Sequence, residues 1–174
     1  MDFEKTISIS LDQYLHMIEL KTAVLLAASL QMGAISGGAG WPEQQHIYNF
    51  GKNLGLAFQV QDDWLDSFGD PEKFGKQKGG DILANKKTFL LVHALDKTGE
   101  SEKKDILKLL NTNAPGKVEQ MIELFRFLGV DKAAEREKNN YMQKAYTHLE
   151  KINVPDLNKE ALKELAAYLL EREL

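Results

Sequence analysis

Apolar residues in this chain recur at intervals of three and four, and period-two alternation is almost missing. Only Thr6 to Ser10 hints at a strand, and it is short. A pattern of this kind commits the chain to packing helices on helices, so the fold class expected is all-α. Ser10 and Gln13 have capping-box spacing, in which the hydroxyl accepts one orphan amide and the glutamine returns to the cap. The helix they start carries Tyr14, Leu15, Ile18, Thr22, Leu25 and Leu26 at helical spacing and stops at Gly37-Gly38. Pro42 suits the first turn of a second helix, running to about Phe68. A loop rich in glycine and lysine is expected over residues 69–81, then helices over about 82–97, 101–112, 115–128 and 131–152. Gly129 is placed to cap the helix over about 115–128, Pro155 to break the next, and Asn158 to start a last helix reaching about Arg172. With 174 residues and no internal repeat, a single domain over 1–174 is expected.

Totals remove several function classes. The net charge of −4 gives no electrostatic reason to bind nucleic acid. There is no cysteine, which excludes disulfides and thiolate metal sites and fits a reducing cytoplasm. The apolar run Ala23 to Leu30 ends at Gln31, and the N-terminus has acids where a signal peptide would be basic, so neither a membrane span nor a leader is expected. His16, His46, His93 and His148 share no metal-ligand spacing, and no serine has a histidine and an acid patterned around it.

The chemistry concentrates in Phe58-Gln-Val-Gln-Asp-Asp-Trp-Leu-Asp66. At about 100° per residue from Phe58, the apolar Phe50, Leu54, Ala57, Leu65 and Phe68 fall on one side. On the other side Asp62 lies at about 40°, Asp66 at about 80° and Gln59 at about 100°. Carboxylates four apart repel by a few tenths of a kcal/mol, roughly, in a bare helix. A divalent cation between them reverses the sign, and magnesium favours one or two carboxylates completed by water and phosphate oxygens. A solvated acidic face is the plain alternative. The lysines that follow, Lys73, Lys76, Lys78, Lys86 and Lys87, set among glycines, supply what a diphosphate would need.

At these residues the sequence resembles the trans-isoprenyl diphosphate synthases, the family of farnesyl and polyprenyl diphosphate synthases. Phe58-Gln59-x-x-Asp62-Asp63-x-x-Asp66-x-x-Gly69-Asp70 is similar to their second aspartate-rich motif. Gly75-Lys76, Gly79-Gly80-Asp81 and Lys86-x-Thr88 match the segment after it, and Lys21-Thr22 the pair before it. The similarity extends to Leu165–Arg172. It implies the C-terminal part of the isoprenoid synthase helical bundle and a homodimer. It also implies condensation of isopentenyl diphosphate with an allylic diphosphate, releasing pyrophosphate, with three magnesium ions in a complete enzyme. Carried over, Asp62 and Asp66 are magnesium ligands and Asp63 acts through metal-bound water. Lys21, Lys76 and Lys86 hold diphosphate, Gln59 sits near the substrate chain, and Thr22 and Phe58 line the pocket. The family's first aspartate-rich motif and its Gly-Gln-x-x-Asp segment are absent from this sequence. The expectations are therefore a truncated synthase, negligible prenyl transfer by the chain alone, and apolar surface left without partners on the first helix and on the Phe50–Leu54 stripe. A non-catalytic subunit and a terpene cyclase are the alternative functions.

Overall fold

The computed structural model describes residues 9–70, 72, 78–112 and 114–170. The Thr6 to Ser10 hint, Lys73, Lys76 and the chain end past Leu170 lie wholly or mostly outside them. Among the described residues there is no strand. The helices are α1 (Leu11–Ile18), α2 (Val24–Ser36), α3 (Trp41–Phe68), α4 (Gly80–Leu83), α5 (Phe89–Lys97), α6 (Glu100–Asn111), α7 (Lys117–Phe127), α8 (Val130–Glu150) and α9 (Glu160–Leu170). A π turn (Glu19–Ala23) joins α1 to α2, and a 3₁₀ turn (Asp156–Lys159) precedes α9.

Several boundaries follow from local chemistry. The capping box forms as expected: Ser10 N–H donates to Gln13 Oε1 at 2.9 Å, and Gln13 N–H to Ser10 Oγ at 3.2 Å. Gly38 and Gly129 adopt φ of +79° and +66°, the left-handed conformation that ends a helix at low cost in glycine. Two expectations fail. The single helix expected over 82–97 is two, because Asn85 turns left-handed at φ 54° and ends α4. Thr88 then caps α5 by accepting Leu91 N–H at 3.3 Å. The final helix starts at Glu160 rather than from Asn158, which lies inside the 3₁₀ turn.

Packing divides the chain into two compact units. One combines residues 15–60 with 136–170. Its core sets Ile47, Phe50 and Leu54 of α3 against Ala145 and Leu149 of α8 and Ala166 of α9. Phe50 and Leu54 are fully buried there, so the expectation that this stripe lacks partners is wrong. In the same unit small residues let helices approach closely. A Cβ on Gly55 would lie 2.7 Å from Ala23 Cα, and one on Gly51 2.9 Å from Ala27 Cα. The opposite side of the first helix matches the expectation of uncovered apolar surface: Leu20, Leu25, Met32 and Ile35 are all exposed. By length and mean hydropathy, 1.4, the stretch Leu11–Ser36 would suffice to cross a bilayer. The core helix of a soluble protein and a signal sequence pass the same test.

The other unit combines residues 9–14 with Gln61–Glu135. Phe89 to Val92 of α5, Ile106 and Leu110 of α6, Met121, Ile122 and Phe125 of α7, and Val130 of α8 are buried in it. The α7 helix packs against α4, α5 and α6. Burying each such large side chain contributes roughly 1.5–3 kcal/mol before chain entropy is counted.

Gly55→Ala tests the close approach. The added methyl gains about 1 kcal/mol in helix propensity but meets backbone, and overpacking costs roughly 1–3 kcal/mol. The expected result is a lower melting temperature, and a lower one still for Gly55→Val. A melting temperature at or above wild type for Gly55→Ala would contradict the packing.

Candidate functional site

The α3 helix is buried over more of its circumference than a single apolar stripe requires. Gly55, Leu56, Val60, Gln61, Asp63 and Ser67 are buried besides the expected residues, whereas Asp62 and Asp66 are partly exposed and share a face four residues apart. Asp66 is braced by the next segment. Its Oδ2 accepts Asp81 N–H at 3.0 Å, and its backbone carbonyl accepts Gly79 N–H at 2.7 Å. Glycine is required at 79: φ is +73°, and a Cβ would stand 2.3 Å from Val118 Cγ1. Gly80 also lies close to Asp66, where a Cβ would stand 3.3 Å from Oδ1.

Lys86, expected to hold diphosphate, is ion-paired with Asp81, Nζ to Oδ1, at 2.5 Å. The lysine is exposed and its partner mostly buried. Burial pushes the Asp66 carboxyl above the usual carboxylate range, the charges of Asp81 and Asp62 push the same way, and the Asp81 amide and Lys86 oppose them. The Lys86 ammonium is held above its ordinary value by its hydrogen bond to Asp81. Asp81 thus links Asp66 to Lys86, its amide on one and its carboxylate on the other. Among the described residues no group of three His, Asp or Glu is arranged as a finished metal site.

Asp63 has a different setting from the one expected of it. It is buried, and its Oδ2 accepts both the Tyr14 hydroxyl and Phe89 N–H, the latter at 2.6 Å. That carboxylate oxygen accepts from protein donors on α1 and α5. Spacing could not reveal this, because Tyr14 reads as one more member of the apolar stripe and lies 49 residues away.

The remaining candidates lie in the unit of residues 15–60. Lys21 and Thr22 sit within the π turn, where Val24 N–H donates to Glu19 C=O five residues back. Such turns shift the helical register by one residue and occur often at functional sites. Thr22 Oγ1 donates to Gln59 Oε1 at 3.2 Å, bringing together two of the expected substrate contacts. Lys21 is exposed and Phe58 half-buried. Lys76 lies outside the described residues. Asp81, noted in the sequence only as part of Gly-Gly-Asp, emerges as the group joining Asp66 to Lys86.

The Tyr14–Asp63 bond predicts a pH dependence. Burial, then the Asp63 charge, raise the Tyr14 hydroxyl well above its ordinary value of 10.0, so the folded chain favours the protonated form. Its contribution is complete below about pH 10 and fades as pH rises beyond it toward the raised folded value. Tyr14→Phe should lower stability at pH 7 by about 1–3 kcal/mol, leaving a buried carboxylate short of a donor. It should also flatten the fall in urea midpoint between about pH 9 and 11. Identical alkaline profiles for the two proteins would show that the bond carries no such role.

Comparison with known proteins shows the family and the fold. The polyprenyl synthetase family model matches residues 1–127. A short chain isoprenyl diphosphate synthase of Methanothermobacter thermautotrophicus is 35% identical over 173 residues, covering 99% of this chain and 53% of that protein. A geranylgeranyl diphosphate synthase of Sulfolobus acidocaldarius is 35% identical over 99% of this chain and 53% of its own length. Among solved structures, a geranylgeranyl pyrophosphate synthase superposes with TM-score 0.86 at 37% identity, over 99% of this chain and 55% of that one. A polyprenyl synthase from Caulobacter crescentus, complexed with calcium and isoprenyl diphosphate, gives TM-score 0.84 at 32% identity, over 97% of this chain and 52% of that one. The chain therefore spans about half the length of the curated relatives it matches. Its all-helical fold and its Asp62–Lys86 segment place it in the polyprenyl synthetase family.

Proposed function

We propose that this chain contributes the metal- and diphosphate-binding portion of a prenyltransferase that joins isopentenyl diphosphate to an allylic diphosphate. The observation that carries the reading is the shared face of Asp62 and Asp66, with Asp66 braced by the Asp81 amide and Asp81 paired to Lys86. Burial, together with the nearby charges of Asp81 and Asp62, holds the Asp66 carboxyl above the usual carboxylate range, where a bound cation would favour its ionised form. Such a donor set fits a hard divalent cation that takes two carboxylates and fills its remaining positions with water and phosphate oxygens. Asp62 and Asp66 would hold magnesium, which when bound supplies positive charge to the departing pyrophosphate. The calcium and isoprenyl diphosphate bound by the Caulobacter crescentus relative support this choice of ligands.

In the reaction the allylic C–O bond breaks, a C–C bond forms to isopentenyl diphosphate, and loss of a proton restores a double bond as pyrophosphate leaves. The chain's own groups would act by position and charge. Lys86, exposed and tethered only at its tip, can exchange Asp81 for a phosphate oxygen, and Lys76 and Lys21 are assigned further phosphate contacts. Gln59 and Thr22, held to each other, and Phe58 are assigned to the isoprenoid chain. Asp63 is assigned the anchoring of α5, through Phe89 N–H, two residues beyond Lys87. Relatives named as prenyl diphosphate synthases lend no support to a cyclase or a non-catalytic subunit. Homodimer formation is part of the same reading.

Asp62→Ala should weaken magnesium-dependent binding of inorganic pyrophosphate, followed by calorimetry, by more than about tenfold, with little effect on melting temperature. Unchanged binding would remove Asp62 from the site. Because the sequence holds one aspartate-rich motif, the 174-residue chain supplied with magnesium and both diphosphates should give negligible product. Sustained turnover by the pure chain would contradict the half-site reading.

A further inference from the structure

The bond between Lys117 and Asn85 lies outside every motif discussed so far, yet it sits directly against the turn that presents Lys86. The α4 helix ends in a Schellman pattern: Lys86 N–H donates to Asp81 C=O at 2.9 Å, and Asn85 N–H to Ile82 C=O at 3.2 Å. That pattern requires a left-handed residue at the position after the cap. Asn85 fills it with φ 54°, and among the described residues it is the only non-glycine with positive φ. Asparagine tolerates this conformation better than most residues but still prefers other regions of backbone space. What holds it here comes from another helix. Lys117, the first residue of α7, is 4% exposed, and its Nζ donates to Asn85 Oδ1 at 2.7 Å.

A lysine this buried is unusual, because desolvating an ammonium is costly unless it is paired. Among the described residues the Lys117 ammonium has no carboxylate partner; its side-chain bond goes to the neutral Asn85 amide. An ordinary structural lysine would be expected to meet an acid or reach solvent. This one spends its burial on a single exposed turn residue, whose backbone conformation sets the direction in which the next residue leaves. That next residue is Lys86, with its ammonium on Asp81 and Asp81 N–H on Asp66. On its far side the segment is fixed by Thr88 capping α5 and by Phe89 N–H on buried Asp63. Lys117 is thus the tether on the near side.

We propose that Lys117 is a positioning residue: by locking Asn85 in the left-handed conformation it fixes the backbone from which Lys86 reaches Asp81 and the diphosphate. The diphosphate part rests on the function proposed above; the locking of Asn85 does not.

Two readouts on the pure chain separate these parts. The amide-to-α-proton coupling of Asn85, which reports φ, needs no ligand, and calorimetry with magnesium and inorganic pyrophosphate reads the site. Lys117→Met should move the Asn85 coupling toward that of ordinary right-handed backbone. It should also weaken pyrophosphate binding about tenfold, the loss of one charge-assisted contact. Glycine takes positive φ without a tether, so adding Asn85→Gly to Lys117→Met should recover most of the binding. Were Lys117 merely a core residue, Asn85→Gly would restore nothing, and that result overturns the proposal, as does an unchanged Asn85 coupling in Lys117→Met. If Lys117→Met does not fold, Asn85→Ala breaks the same bond from the exposed side, and wild-type binding in that variant also overturns it. Absence of pyrophosphate binding by the wild-type chain would instead defeat the diphosphate reading, and the Asn85 coupling would still decide whether Lys117 sets the turn.

Discussion

Carboxylates on a helix that is buried around most of its circumference must each find compensation, and much of this unit is arranged around that requirement. A buried ionised carboxylate costs several kcal/mol, roughly, unless hydrogen bonds or opposite charge replace the water it loses. Asp63 meets the requirement with the Tyr14 hydroxyl and Phe89 N–H, a solution that draws α1 and α5 onto α3. Asp66 meets it only in part. One backbone amide reaches it, Asp81 arrives with that amide and adds its own negative charge, and Lys86 is drawn in to balance Asp81. The two carboxylates therefore differ in kind despite being three residues apart: one is buried on protein donors, the other is half-buried beside Asp81 and Asp62.

The same distinction explains what the sequence could and could not disclose. Asp62 and Asp66 were legible because a spacing of four fixes a shared helical face whatever surrounds it. The Ser10–Gln13 box was legible because both partners lie within one turn. The partner of Asp63 was not, since Tyr14 fits an apolar stripe equally well and the bond spans 49 residues. Nor was the π turn, whose residues Glu19–Ala23 carry no signal to distinguish them from α-helix. The break after Leu83 was hidden for a related reason. Asn85 can sit in either conformation, and a tether from Lys117, far along the chain, decides between them. Local rules located the charged face; long-range contacts decided which charge is structural.

Glycine has two separate uses in this chain. Gly51 and Gly55 remove side-chain bulk so that α2 and the π turn can approach α3, and their conformation is ordinary helix. Gly79 combines positive φ with contact against Val118, and so lays the turn before Asp81 onto Asp66. The first use shapes a core, the second builds a site. Both units draw on α3, whose residues from Trp41 to Val60 belong to one and those from Gln61 to Phe68 to the other.

The claim that most needs a direct trial is that the Asp62–Asp66 face takes a divalent cation together with a diphosphate. Manganese can replace magnesium and broadens the amide resonances of residues near it. With inorganic pyrophosphate present, the account predicts that broadening is strongest around Asp62, Asp66, Gly80 and Asp81. Broadening confined to other acidic surfaces, such as the first turn of α6 at Glu100 and Glu102, or none dependent on pyrophosphate, would contradict it.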